Sequence, residues 1–249
     1  MDFEIKNSSK KKMIDKIEEY YRDKVILSTN FECSYKKECG RQSEKFYGPK
    51  SAFISSGYEK GTLPRLLILS LDPGSSEENP SKRLPIAVRE FEETRDISLL
   101  HKGRHWYRTH ELAFHILRQF KDDLNIEDVK HYFAHVNTVK CSMNNPYNKQ
   151  ADKMLFKNCR GYLEDEIVLM RPDIIVTQGL EAKKALEHII PETHLRQDRA
   201  HHIINLNGRK VFWLQTVHPS NYGAFHKQFN KGKGWDKYAR EIYQWYQER

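Results

Sequence analysis

A short apolar run, "LLILSL" at 66–71, constrains the fold of this chain more than any other feature of its sequence. A strand without alternating polar residues is typical of a sheet that is buried on both faces, which usually means a parallel sheet. Three further candidate strands follow along the chain: "HYFAHVNTV" (131–139), "DIIVTQG" (173–179) and "KVFWLQTV" (210–217). We therefore predict an α/β chain with a central, mostly parallel four-stranded sheet.

Helical stretches separate these strands and supply the crossovers that parallel pairing requires. They cover 11–24, 108–121, 151–170 and 180–188. With helices on both faces of the sheet, the architecture is a three-layer α/β/α sandwich in a single domain. Residues 1–60 or so form an N-terminal helical and cysteine-bearing extension. The charged segment 77–102 is too long for a simple connection, so we interpret it as an inserted lid or binding loop.

The charge balance favours a polyanionic partner. The chain of 249 residues has 42 Lys and Arg against 34 Asp and Glu, a formal net charge of +8, and nucleic acid is the partner that this surplus suggests. A solvated lysine-rich surface is the alternative explanation. The sequence shows neither a membrane span nor a signal peptide, so we expect a cytoplasmic monomer without an obligate protein partner.

Polar residues stand at or beyond the end of each predicted strand. They are Asp72, Asn137, Gln178 with Gly179, and His218. In parallel sheets the ligand site forms just outside the carboxyl ends of the strands, so these residues are expected to meet in one crevice.

An aspartate and a histidine at opposite strand ends suit hydrolysis. Asp72 would orient or deprotonate a water, and the His218 imidazole would bind a developing anion through a hydrogen bond. Each residue also has a structural alternative, because Asp-Pro-Gly is an ordinary turn sequence and a histidine can cap a strand.

The four cysteines form two sequence clusters, Cys33 with Cys39 and Cys141 with Cys159. Disulfides are not expected in a cytoplasmic protein, which leaves either four core thiols or one metal centre with four thiolate ligands. Spacing does not separate zinc from an iron-sulfur cluster. The C-x5-C gap is wider than that of structural zinc sites and favours iron-sulfur.

Several segments, in the same order, resemble motifs of the uracil-DNA glycosylase superfamily, above all its iron-sulfur branch, the family 4 enzymes. "SLDPG" (70–74) is similar to the first catalytic motif, and "HPSNY" (218–222) to the second. "NTVKCSMN" (137–144) resembles the base-reading and cluster-binding segment. "CRGYLEDEIVLMRPDIIVTQGLEAKKAL" (159–186) is the most specific match. The resemblance spans roughly 33–225 and implies a uracil-DNA glycosylase-like fold.

The resemblance implies a role for each matched position. Asp72 would activate the attacking water, and His218 would stabilise the departing base. The base pocket would include Asn137, Trp106 as a stacking platform, Leu71 and Gly74. The DNA-binding loop would include Ser220 on a phosphate, Tyr222 or Phe225 as a wedge, and Asn221, Lys227 and Lys231. Cys33, Cys39, Cys141 and Cys159 would hold a structural 4Fe-4S cluster, with zinc as the alternative. Core packing is the alternative role for Trp106.

Departures from the family pattern leave the target base open. Leu71 stands where iron-sulfur relatives carry Glu, Ser70 replaces Gly, and His105 with Trp106 replaces a Pro-Phe pair. The implied function is a monofunctional DNA glycosylase that flips out uracil or a related deaminated base and leaves an abasic site in DNA. The alternatives are excision of a bulky modified cytosine from phage DNA as antiviral defence, and a non-catalytic DNA-binding module.

Overall fold

The structure, a computed structural model, describes residues 11–41, 45–73, 77–102, 104–144, 151, 153–190, 200–219 and 235–249. The helices in these ranges are α1 (Met13–Asp23), α2 (Lys36–Gly40), α3 (Ser56–Lys60), α4 (Pro85–Thr94), α5 (His105–Leu117), α6 (Lys153–Met170), α7 (Leu180–Ile189) and α8 (Trp235–Glu248). The strands are β1 (Lys45–Pro49), β2 (Phe53–Ile54), β3 (Leu66–Ser70), β4 (Phe133–Asn137), β5 (Cys141–Asn144), β6 (Ile174–Gln178), β7 (His201–Leu206) and β8 (Arg209–Thr216). No helix in these ranges combines the length and the apolar character needed to cross a membrane.

The main sheet has six strands in the order β2-β4-β3-β6-β8-β7. The four inner strands are the predicted ones and run parallel, which confirms the α/β class. The predicted count of four strands is wrong, because antiparallel β2 and β7 extend the two edges. β2 has only two residues, and β7 is largely solvent-facing, so neither has the apolar run that marks an inner strand.

Helices cover both faces of the sheet, as a three-layer sandwich requires. Every residue of β3 and of β6 is buried, because each strand packs against helices on both sides. One face meets α1, α6 and α7 through residues such as Ile17, Leu163 and Leu186. The other face meets α4, α5 and α8 through Val88, Leu112 and Ile242. The N-terminal helix α1 therefore shares the core of the parallel sheet.

The segment 77–102 is more ordered than its charge pattern predicts. It contains a 3₁₀ turn at Pro80–Arg83 and the ten-residue helix α4. Pro85 starts this helix, a position where its fixed backbone angle and missing N–H cost nothing. Val88 and Glu92 of α4 are buried against the domain, and the role of the segment as an inserted lid or binding loop stays a prediction.

A buried charge network joins α1, α6 and the segment between β4 and β5. The Lys140 ammonium group donates to the carboxylate of Glu166 and to the backbone oxygen of Asn137, the latter at 2.8 Å. The Tyr21 hydroxyl donates to the other oxygen of Glu166 and accepts from the backbone N–H of Ala52 at 3.1 Å. Lys140 is 2% exposed and Glu166 is fully buried. Two charges in such a place are tolerated only because they pair.

Replacing Lys140 by Met leaves the buried Glu166 without its counter-charge. We expect the free energy of unfolding of K140M to fall by about 3–5 kcal/mol, the usual cost of removing one partner of a buried ion pair. Chemical denaturation followed by circular dichroism measures this. The double variant K140M/E166Q removes both charges and should recover part of the loss. The exposed-lysine variant K184M is the control and should lose less than about 1 kcal/mol; a loss in K140M no larger than in K184M contradicts the prediction.

Candidate active site

The carboxyl ends of the four inner strands lie at the same edge of the sheet, and the space just beyond them is called the crevice here. β3 leads into Asp72, β4 ends at Asn137, β6 ends at Gln178, and His218 lies two residues beyond β8. The parallel register pairs Ser70 with Asn137, so the ends of β3 and β4 are level. Residues from four separate parts of the chain therefore border the same space.

The backbone before Asp72 is held by the neighbouring strand. The carbonyl oxygen of Leu71 accepts from the Thr138 hydroxyl at 2.8 Å and from the Val139 N–H at 2.9 Å. The Asp72 carboxylate is half-buried and accepts from the N–H of Ala151 at 3.4 Å. These contacts with Thr138, Val139 and Ala151 hold the carboxylate at the strand end, where the sequence predicts a catalytic acid.

His218 is half-buried on the opposite side of the crevice and packs against Gly179. Loss of water around the ring lowers its pKa to about 4, and the nearby His105 adds to this effect. The imidazole is therefore neutral at physiological pH. A neutral imidazole keeps one N–H, and it can donate this group as a hydrogen bond to a developing anion.

His105 is a site residue that motif comparison did not assign a role. α5 begins at His105, earlier than the predicted start at 108, and this places the ring at the mouth of the crevice. The ring centres of His105 and His218 lie 5.9 Å apart. The carboxylate of Asp72 also acts on His105 and raises its pKa against the larger effect of lost solvent. The sequence did contain one signal that could have identified His105 as a site residue: a histidine stands at a position where relatives carry proline.

Gln178 lies at the floor between β3 and α5 and was noted in the sequence only as a polar strand end. Its side-chain oxygen accepts from the Ser70 hydroxyl at 2.9 Å. The single hydrogen of the Thr109 hydroxyl is shared between this oxygen and the backbone oxygen of His105, each at 3.0 Å. Within the described residues its buried NH₂ group has no hydrogen-bond partner. The crevice floor thus carries a donor group that the described part of the protein leaves unused.

Asn137 and Trp106 border the crevice on the α5 side. Asn137 is 8% exposed and shares its face of β4 with His135, because residues two apart in a strand point the same way. The Trp106 ring lies edge-on to His135 at 4.8 Å and to His110 at 5.0 Å. Its indole N–H donates to Glu92 at 3.0 Å. Trp106 is therefore a firmly held, half-buried wall, and its stacking role stays a prediction.

The remaining sequence-predicted residues divide into two groups. Leu71 is half-buried and packs near Gly179, beside His218. The others lie outside the described residues: Gly74, Ser220, Asn221, Tyr222, Phe225, Lys227 and Lys231.

The four cysteines line one small pocket at the edge of the domain. Cys33 precedes α2, Cys39 lies in α2, Cys141 begins β5 and Cys159 lies in α6. The antiparallel pairing of β1 with β5 contributes to this convergence, because it joins the N-terminal segment to the strand that carries Cys141. Two N–H groups point at sulfur: that of Lys140 lies 3.5 Å from Cys159, and the Asn158 amide lies 3.4 Å from Cys39.

The donor set of this pocket fits a thiolate-bound metal group. Burial raises the pKa of Cys159 to about 12, and burial with repulsion from the other three cysteines raises the pKa of Cys141 well above its usual value. Four such groups can be anionic together only around a cation. Among the described residues, no three Cys, His, Asp or Glu side chains are placed for a single metal ion. One zinc would require the sulfurs to lie within about 4 Å of one another, whereas a cluster spreads its ligands over separate irons.

Residues 58–242 match the family model described as the uracil DNA glycosylase superfamily, which is more than half of the chain. The chain belongs to this superfamily. Comparison with curated proteins found no match. Superfamily members are DNA glycosylases, so DNA is the substrate class of the family. The matched range includes Asp72, Asn137 and His218, and it begins after Cys33 and Cys39.

Gly179 has a conformation that supports the superfamily site. Its φ is +98°, and a Cβ there would lie 3.2 Å from the Cβ of His218 and 3.4 Å from Leu71. Both the backbone angle and the space beside His218 therefore require glycine.

Substituting Gly179 by Ala should strain the backbone and displace His218. We expect the free energy of unfolding of G179A to fall by about 1–3 kcal/mol and the NMR resonances of the His218 ring to shift. G161A is the matched control, since Gly161 lies in α6 and a Cβ added there would meet no neighbouring atom within 4 Å. That variant should gain about 0.5–1 kcal/mol from helix propensity. Equal effects of the two substitutions would contradict the prediction.

Proposed function

We propose that this protein is a monofunctional DNA glycosylase that hydrolyses the N-glycosidic bond of uracil or a related deaminated base and leaves an abasic site. The observation that carries the proposal is the convergence of Asp72, Asn137 and His218 in one crevice, with His218 neutral. This convergence also argues against a non-catalytic DNA-binding module, because such a module has no need of the acid and the imidazole together.

The chemistry requires a water, an acid and an anion-stabilising donor. Asp72 positions the water that attacks the sugar C1′ and accepts its proton, and its negative charge favours the cationic character of the sugar in the transition state. His218 donates its N–H to the departing base, on which negative charge develops. Asn137 is the candidate for hydrogen bonds to the edge of the base.

DNA must present a flipped nucleotide to this crevice, because the glycosidic bond is inaccessible inside the duplex. Cationic groups act electrostatically on His105. Arg104 is exposed beside it in the chain, and Lys50 and Arg95 are the cations that pair with Glu92. Together with the net charge of +8, they suit a phosphate backbone that approaches from this side.

The fixed position of Trp106 favours a base of ordinary pyrimidine size. Glu92 is 4% exposed, accepts from the indole N–H, and forms ion pairs with Lys50 at 3.7 Å and Arg95 at 3.5 Å. A wall held by these contacts does not swing aside to admit a large substituent. Excision of a bulky phage cytosine therefore stands second to excision of uracil or a related deaminated base.

We further propose that the four cysteines hold a structural 4Fe-4S cluster, as the iron-sulfur branch of the superfamily does. The support is the shared pocket and the two N–H groups directed at sulfur. When bound, the cluster would tie α2, β5 and α6 together. Cys33, Cys39, Cys141 and Cys159 would be its ligands.

Substrate and mechanism are tested with a panel of duplexes. Each duplex contains a single uracil, hypoxanthine, thymine opposite guanine, or glucosylated 5-hydroxymethylcytosine, and alkali cleaves any abasic site. We expect uracil or another deaminated base to be released, and D72N to slow single-turnover release by about 10²–10⁴-fold with little change in the Kd for DNA. The exposed-acid variant D122N should match the wild type. Release of the glucosylated base alone would support the defence function, and no abasic site on any duplex would refute the glycosylase proposal.

Anaerobic purification tests the cysteine centre. We expect a brown protein with about four iron atoms and matching acid-labile sulfide per chain. C159S should lose the colour and lower the Tm, because the pocket then holds three ligands and an unfilled space. One zinc per chain without iron would establish the alternative metal, and four free thiols without any metal would contradict a metal centre.

A further inference from the structure

Four buried polar residues form a row across the carboxyl edge of the sheet, on the face that α5 covers. They end the four inner strands in the spatial order Asn137 (β4), Ser70 (β3), Gln178 (β6) and Thr216 (β8). Residues two or four positions earlier in each strand belong to the core cluster beneath α5, so the four side chains share that face. The parallel register keeps them level. Because His218 follows β8, Gln178 lies between Asn137 and His218.

The hydroxyl groups of this row are satisfied inside the protein, whereas the amide of Gln178 is only half satisfied. The Thr216 hydroxyl donates to the backbone oxygen of Thr177 at 3.1 Å, and the Ser70 hydroxyl donates to the side-chain oxygen of Gln178 at 2.9 Å. The NH₂ group of Gln178 has no acceptor within the described residues, and the residue is 1% exposed. A buried donor without an acceptor costs free energy, so native proteins keep few of them, and a bound substrate is one reason to keep one.

Ser70 determines which end of the Gln178 amide is unpaired. Its buried hydroxyl hydrogen has no other acceptor in the described part of the chain, so the amide oxygen must face Ser70. The Thr109 hydroxyl does not decide the orientation, because its hydrogen can also go to the backbone oxygen of His105. The planar amide then directs its NH₂ group away from β3, toward the side of β6 on which β8 leads to His218.

We propose that Gln178 is a specificity-determining residue that donates its N–H to the carbonyl oxygen at C4 of the flipped base. The inference rests on the proposed function and deepens it, because it names the feature by which the site recognises a deaminated pyrimidine. Deamination of cytosine replaces the amino group at C4 by a carbonyl oxygen. The base edge thereby changes from a donor into an acceptor, and a donor on the protein can pair only with the acceptor.

The spacing of the strands leaves room for such a base. Neighbouring strands lie about 4.8 Å apart, so Asn137 on β4 and Gln178 on β6 are separated by about 10 Å at the backbone. A pyrimidine with two carbonyl oxygens can accept one hydrogen bond from each of two amides at this separation. Uracil has both oxygens, whereas cytosine has one oxygen and one amino group.

The fixed orientation of the amide makes the contact selective. With its oxygen held by Ser70, Gln178 cannot turn to accept from an amino group. Cytosine in the crevice would therefore place two donors against each other in a buried site. An unpaired buried polar group is the kind of mismatch by which enzymes reject a substrate of nearly the same shape.

A comparison of uracil with 4-thiouracil tests the contact, because sulfur is a weak acceptor in the place of the C4 oxygen. Single-turnover release is measured on duplexes that differ only in this atom. We expect Q178M to slow uracil release by about 10–100-fold and 4-thiouracil release by less than about threefold, since methionine has a similar length but no N–H. Q247M is the control, because Gln247 is an exposed residue of α8, and it should leave both rates unchanged.

The double variant S70A/Q178M repeats the comparison in a protein without unpaired groups at this place. It removes the buried donor together with its partner, so it should keep the Tm of the wild type and show the same loss on uracil alone. Equal losses on the two duplexes in both variants, or no loss on either, would overturn the role of Gln178 and leave the glycosylase proposal intact. If the wild type releases neither base, the proposed function and the role of Gln178 both fail.

Discussion

The buried cation of Lys140 is the point at which strand β4, the cysteine pocket and helix α6 meet. Its ammonium group binds the carbonyl oxygen of Asn137 and the carboxylate of Glu166, and its backbone N–H points at Cys159. Burial alone would raise the pKa of Glu166, and Lys140 counteracts this effect. The arrangement couples the position of Asn137 to the segment that carries Cys141. The cysteine pocket also adjoins the crevice directly, because Leu71 packs against the cluster that contains Cys39 and Cys159.

The inner sheet and the strand-end residues were predictable from sequence because both depend on local patterns. Buried parallel strands are short apolar runs, and the polar residue that follows each run marks the edge where ligands bind. The outer strands were not predictable on this basis. β2 has two residues, and β7 gains its partner only through the hairpin with β8. The sequence pattern also starts α5 too late, which leaves His105 outside the helix that presents it to the crevice.

The cysteine pocket was even less predictable from local sequence pattern than the outer strands. Sequence spacing groups Cys33 with Cys39 and Cys141 with Cys159, and it contains no information on whether the two groups meet. Their meeting depends on the ladder between β1 and β5, which pairs residues about a hundred positions apart. A contact of this kind arises from the tertiary fold, so local pattern cannot reveal it, whereas family resemblance can.

Helix α4 changes the interpretation of the segment 77–102. The charge pattern of residues 77–102 predicts an insertion beside the pocket. In the fold, the buried carboxylate of Glu92 accepts a hydrogen bond from the indole N–H of Trp106. A buried carboxylate is costly unless it is paired, and here Lys50, Arg95 and the indole N–H all satisfy it. Moving Trp106 would break this set of contacts together. The position of Trp106 is therefore set by a buried ion-pair network behind it. In the proposed function, a change of substrate size would require a change in α4 as well as in the crevice itself.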